Sequence, residues 1–521
     1  MKSHLLLPSL ALVANAVVLP SANRAAGNTV LLTTSSAPTP DLPSCLRDNY
    51  YGAYGSISQP DHVFISSEEC VLDSQDALAS GFESGSLALL SEETKGQVLI
   101  WVGEAGVAKE PDSALAVTDR VYDDILANLE ELEALEVGNA APRLSGNTQH
   151  AVGLHVKSFG KPFLYHQSRH SLILGVPERL LGVIDKVVPG HLSLVALPSN
   201  AYPLAFAADS YGAPVPQHLI DNLANITMRL KYSSKLDQVL DALDYRELVR
   251  SVRFLTGESG SGIVSRHSFA PGSRVAAKWI QEKVEGTGAE CTLRPFLPGF
   301  APNVICHYRP LSSKSSHDNS PLTILSAHYD SRGSFGRWGA PGADDDASGS
   351  AHLLAIAEAI KGANVTFERE VVLAFFAGEE QGLLGSAAYA KSLHEANTTV
   401  LLQTQADMLA YHDPMEPLQI AFPASIGTPE AAYLLGNLSR IYAPELVVGT
   451  TAACCSDHQS FLPYAFPATQ VFERNGPIID PCYHNICDVS MRQGYDFDQI
   501  LSIAKVTFAG LLSVAGFEIG A

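Results

Sequence analysis

Residues 322–327 (LTILSA), 371–376 (VVLAFF) and 468–472 (ATQVF) are short, mostly apolar runs, and helical spacing over residues 275–284 and 351–360 alternates with them. This alternation constrains the chain more than any other feature. A strand covered by helices on both faces reads as a continuous apolar run rather than as alternating positions. From about Tyr245 onward the pattern therefore predicts an α/β sheet covered on both faces. In open sheets of that kind, ligands collect beyond the carboxyl ends of the strands. The polar clusters of this chain stand at those ends.

Residues 17 to about 240 have a different texture. Runs at 63–65, 97–102, 163–166, 171–175 and 192–197 are rich in β-branched and large apolar residues, bounded by Gly, Pro, Ser or Asn, and read as strands. Residues 116–135 have helical spacing, and Glu130, Glu131 and Glu133 fit a solvated helix face. No catalytic constellation is visible here. The stretch is expected to be a smaller β-rich or α/β propeptide, folding aid or accessory domain. The expected division is a signal peptide over 1–16, this region over 17–240 and a catalytic domain over 241–521.

The signal peptide is read from Lys2 and His4, the apolar run 5–13, and the small residues of Ala14-Asn15-Ala16. The run is too short to span a membrane, which takes about 20 apolar residues, and no later segment reads as a span. The formal net charge of -21 argues against nucleic acid, whose phosphates need a basic footprint. A secreted monomer is expected, with a vacuolar location as the alternative and with neither nucleic-acid nor membrane partners. Asn225, Asn364, Asn397 and Asn437 open glycosylation triplets. The cysteine count is even, and an oxidising compartment favours disulfides. The expected pairs are Cys45 with Cys70 and Cys291 with Cys306. Cys454 and Cys455 are adjacent and poorly placed to bond each other, so each is expected to reach across to Cys482 or Cys487.

Four elements carry chemistry. The first apolar run ends in His328-Tyr329-Asp330-Ser331. A Gly/Pro-rich loop then leads to Asp344-Asp345-Asp346-Ala347-Ser348. Carboxylates favour helix N-termini, which accounts for Asp346 with Ser348 but not for three acids beside a histidine. The second run leads to Glu379-Glu380, an expensive place for charge unless a cation or an open turn accommodates it. Asp407 follows another partly apolar run, and alone it reads as a turn carboxylate. His484 stands in a late loop, and alone it reads as a surface residue. Together they offer histidine nitrogen and carboxylate oxygen in the mix that suits zinc. A shared carboxylate would allow two ions roughly 3.5–4 Å apart.

The motifs His328-Tyr329-Asp330-Ser331, Gly342 to Gly349, Gly378 to Ser386, Gln405 to Met408 and Tyr483-His484 resemble, in order, those of the secreted di-zinc aminopeptidases of the bacterial leucyl and fungal leucine type, in the zinc exopeptidase superfamily. The resemblance covers roughly residues 245–521. It implies a three-layer sandwich around a mixed, mostly parallel, twisted sheet of eight strands. It implies two Zn²⁺ ions per chain, Asp345 bridging them, His328 and Asp407 completing one site, and Glu380 and His484 the other. Asp330 would hold the His328 ring. Glu379 would be the general base and then the acid, acting on peptides with a free N-terminus. Ala453 stands where relatives carry a tyrosine that assists the oxyanion, and His458 is expected to be structural. The competing readings are a glutaminyl cyclase, a carboxypeptidase or dipeptidase of the same fold, and a non-catalytic binding protein. Retention of Glu379 and of every ligand position favours the hydrolase.

Overall fold

Period-two burial builds the central layer. In the strand Glu370–Phe376 every residue is buried. Leu373 and Phe375 enter one apolar core, while Val372, Ala374 and Phe376 enter the core on the opposite face. Successive side chains of a strand point to opposite sides, so a sheet with a core on each face needs this unbroken apolar run. The computed structural model describes residues 10–11, 29–36, 38, 42–56, 59–81, 85–90, 97–104, 120–139, 159–198, 201, 213–310, 321–335, 337–453 and 455–520.

The strands lie in the order Glu290–Arg294, Asn303–Tyr308, Glu370–Phe376, Leu322–His328, Val400–Ala406 and Ala468–Val471. The last four are parallel, and the first two are antiparallel additions. Gln419–Pro423 and Val447–Thr451 form a separate parallel pair. It meets the layer at the Ala421–Phe472 bridge. The implied eight strands are therefore a six-stranded ladder with a two-stranded extension. Helices Pro271–Glu285, Gly349–Gly362, Pro429–Tyr442 and Phe497–Ala515 fill one face. Leu384–Glu395 and the turn Asp457–Tyr464 cover the other. Phe497–Ala515 is long and apolar enough to cross a membrane by length and composition, yet here it is a buried core helix.

Gln217–Met228 and Ser234–Leu240 pack into the same core as these helices, through Leu219, Leu223, Leu236 and Val239. Before them lie two antiparallel sheets. One holds Leu10–Ala11, Gly85–Leu90, Thr29–Thr34, Gln59–Ser67 and Tyr50–Ser56. The other holds Phe163–Gln167, Ser171–Pro177, Gln97–Glu104 and Leu192–Ala196. The helix expected from residue 116 is Val121–Asn139, and residues 105–119 lie outside the described residues. Of residues 1–16, read as a signal peptide, only Leu10–Ala11 is described.

The two parts share apolar surface. Phe300 and Leu384 join the core under Leu192 and Leu194, and Leu383 packs with Trp101 and Val195. His267 Nε2 lies 3.1 Å from Asp185, a buried pair across the junction. Cys45–Cys70 and Cys291–Cys306 are bonded as expected. The crossing expected for the last four cysteines does not form, because Cys482 and Cys487 bond each other across a short loop. Cys455 is also bonded, and Cys454 lies outside the described residues. Asn225, Asn364 and Asn397 are exposed, whereas Asn437 is half-buried and donates to Tyr433 O at 2.7 Å within its helix.

Candidate metal centre

Parallel strands bring their carboxyl ends to one edge. Ser326 pairs with Gln405 on the neighbouring strand, so His328 and Asp407, two residues further along each, stand level. His328 likewise pairs with Phe376, and Glu379 and Glu380 follow it in the next turn. Asp345 arrives from the turn Ala343–Ser348 that opens helix Gly349–Gly362. Buried Arg266 fixes the approach to this turn, donating to Tyr329 O at 2.8 Å and Gly342 O at 2.8 Å. Asp488 accepts from the backbone N–H of Asp345 at 3.1 Å. Asp346 Oδ1 accepts from Gly349 N at 2.9 Å, the helix cap expected from sequence.

Two groups of ligand-type atoms result, each drawn together within 4.8 Å: His328, Asp345 and Asp407, and Asp345, Glu380 and His484. His328 Nε2 is 3.2 Å from Asp345 Oδ1 and 3.6 Å from Asp407 Oδ1. His484 Nε2 is 3.2 Å from both Asp345 Oδ2 and Glu380 Oε2. Asp345 thus turns one oxygen to each group. Asp330 Oδ1 lies 3.5 Å from His328 Nδ1 and accepts from Glu379 N at 3.4 Å. Its other oxygen accepts from Ser268 Oγ at 3.0 Å. All five ligand candidates from the sequence come together, and Glu379 and Asp330 stand beside them. His458 does not join them; it is buried with Nε2 2.9 Å from Ile426 O.

The protonation pattern is that of a site built for cations. Burial raises Glu380 to about 7, and nearby Asp345 adds to this against the pull of His484. Burial also pushes Glu379 well above the carboxylate range, opposed by His328 and reinforced by Asp407 and Glu380. Burial disfavours a charged His484, but Glu380 and Asp345 outweigh it and bring the ring up to about 9. Asp345, also opposed by burial, is held below its usual range by hydrogen bonds from His328 and His484. Glu380 Oε1 is buried without a hydrogen-bond partner among the described residues. Excess carboxylate, clustered imidazole and an orphaned carboxylate oxygen fit divalent zinc.

Sequence reasoning missed the pocket around these groups. It is lined by Ser193, Leu194, Arg332, Met408, Ala453, Phe472, Ile478 and Tyr483, together with Glu379 and the metal-binding candidates other than His328. Tyr483 stacks on the His484 ring, centroids 3.7 Å apart. Burial, then Asp345 and Glu380, raise its phenol well above the usual value, so it stays protonated. No catalytic constellation is visible in the sequence of residues 17–240, yet Ser193 and Leu194 form part of the pocket wall. Gly190 O accepts from His484 Nδ1 at 2.7 Å, so the neutral ring that a metal ion requires has its lone pair on Nε2, facing Asp345 and Glu380. Arg332 donates to Val188 O at 2.6 Å and Leu192 O at 3.2 Å. Backbone carbonyls carry no sequence signal, so these partners were not legible.

Residues 303–507 match the family model described as Peptidase family M28. The chain is 28% identical over 314 residues to a probable leucine aminopeptidase of Arthroderma otae, covering 56% of this chain and 79% of the relative. It is 25% identical over 350 residues to leucine aminopeptidase 1 of Trichophyton equinum, covering 63% and 82%. Among solved structures, the LapA aminopeptidase of Legionella pneumophila shares the fold with a TM-score of 0.53 at 18% identity. That match covers 69% of this chain and 95% of LapA.

Proposed function

We propose, from the match of residues 303–507 to peptidase family M28, that the chain is a zinc-dependent aminopeptidase removing the first residue of peptides. The observation that carries this reading is Asp345 shared between two ligand groups with Glu379 beside them. His328 and Asp407 would hold one zinc ion, Glu380 and His484 a second, and Asp345 both. Zinc bound there supplies an acidified water and positive charge for the developing oxyanion.

The chain's own residues do the rest. Glu379, half-buried on the pocket wall, takes the proton of the attacking water and delivers it to the leaving amine. Its proton affinity, raised by burial and neighbouring acids, suits both transfers. Tyr483 offers a phenol to the oxyanion in place of the tyrosine that Ala453 lacks. Asp330 and Gly190 O orient the two imidazoles from behind. The carboxylates around the pocket would receive the substrate's free α-ammonium group, which confines cleavage to the chain end. Secretion, a cleaved leader and glycans at Asn225, Asn364 or Asn397 accord with the exposed triplets and the disulfides.

The test is purified, zinc-loaded protein assayed on aminoacyl p-nitroanilides and on peptides with N-terminal glutamine. Release of p-nitroaniline and of free first residues is expected. Cyclisation of glutamine without hydrolysis would overturn the reading in favour of a cyclase.

A further inference from the structure

Strand Leu192–Ala196 is the outer strand of its sheet, paired on one side only, with Gln97–Glu104. Leu197 N donates to Leu99 O at 2.9 Å. In an antiparallel ladder the inward-bonding residues alternate, so Val195 and Ser193 face the partner strand while Ala196, Leu194 and Leu192 turn their N–H and C=O outward. Two of these outward residues are engaged by the catalytic domain. Ala196 N donates to Gly382 O at 3.1 Å, and Leu192 O accepts from Arg332. Between them, the main chain of Leu194 has no hydrogen-bond partner among the described residues. Its side chain is packed in the core of its own domain, so what it presents to the pocket it lines with Glu379 and Asp345 is main chain. An unpaired strand edge is a template for another extended chain.

We propose that this edge binds the substrate's main chain. The third residue of the substrate, in extended conformation, exchanges hydrogen bonds with the N–H and C=O of Leu194, as a strand adds to a sheet edge. This inference rests on the aminopeptidase reading and deepens it. The first residue of the substrate is committed to the zinc and its carboxylates and the second supplies the scissile N–H, so the third residue pairs with Leu194. The N-terminal domain is then a substrate-binding element. It is fastened on both sides of Leu194 by Ala196–Gly382 and Leu192–Arg332, and again at Gly190–His484, rather than serving as a cover to be discarded.

Full-length zinc-loaded protein is compared on leucyl-glycyl-glycine, leucyl-glycyl-sarcosine and leucine p-nitroanilide. The sarcosine peptide lacks the N–H that Leu194 O would accept. Its KM is expected to be about tenfold higher, the size of one hydrogen bond, with kcat little changed. Leu194→Pro removes an edge N–H that the ladder does not use and is expected to raise KM for leucyl-glycyl-glycine to a similar extent. Should that variant fail to fold, amide exchange over residues 192–196 decides, using a leucyl-glycyl-glycine analogue with a reduced first bond. Protection supports the edge, and its absence overturns it. Hydrolysis of both peptides with equal KM removes this inference alone. A chain that hydrolyses none of the three substrates removes the aminopeptidase reading and this inference with it.

Discussion

Asp345 reaches His328 and His484 with different oxygens, whereas Glu379 lines the same pocket without belonging to either ligand group. Side chains so placed separate under mutation. Glu379→Gln keeps the shape and removes the proton carrier. It is expected to lower kcat at least about a hundredfold while zinc content by elemental analysis stays at the wild-type level. Tyr483→Phe keeps the ring stacked on His484 and removes the phenol. It is expected to lower kcat about a hundredfold, the loss of one oxyanion donor, with a smaller change in KM. An unchanged kcat in steady-state assays would remove Tyr483 from the reaction.

The strand ends place the site, and the junction between the two antiparallel sheets and the central layer steadies it. Asp185 and His267 are both buried, and they meet across that junction. Burial alone would raise Asp185, but His267 and Arg332 hold it down at about 2. A lowered carboxylate stabilises the fold fully above its unfolded value near 3.8 and loses that contribution as pH falls towards 2. Asp185→Asn leaves His267 without its partner and is expected to cost about 3 kcal/mol in urea unfolding at pH 7. Exchange of backbone amides over residues 188–192 should quicken with it. The elements themselves were largely legible in the sequence. The apolar runs at 322–327 and 371–376 became strands because both faces of the sheet are covered. His328, Glu379 and Glu380 were exposed as candidates by following those runs directly. The strand Asn303–Tyr308 was missed, since Asn303 and His307 cut the apolar run of NVICHY to three residues. The last cysteines were misassigned because sequence distance does not say which loop folds back on itself.

Over the whole molecule, histidines buried as neutral rings link stability to pH. Burial pushes His352, hydrogen-bonded to Thr507 Oγ1 at 2.6 Å, down to about 3. The unfolded chain takes up this proton near pH 6.5 and the folded chain does not, so stability falls as pH drops from 6.5 towards 3. Between pH 7.5 and pH 5 the wild type should lose about 2 kcal/mol more than His352→Gln, at about 1.4 kcal/mol per unit, read from urea midpoints. The role of the N-terminal domain was the least legible feature at this scale. Its hydrogen bonds to the site come from main chain, at Gly190 and Leu192, and main chain leaves no mark in a sequence. The most direct test of the account is zinc stoichiometry, measured by elemental analysis on full-length protein and on Asp345→Ala. Two zinc ions per chain in the wild type are expected, with fewer than one retained and peptide hydrolysis abolished when the shared carboxylate is removed. Wild-type protein that holds no zinc, or an Asp345→Ala variant with undiminished zinc and activity, would contradict it.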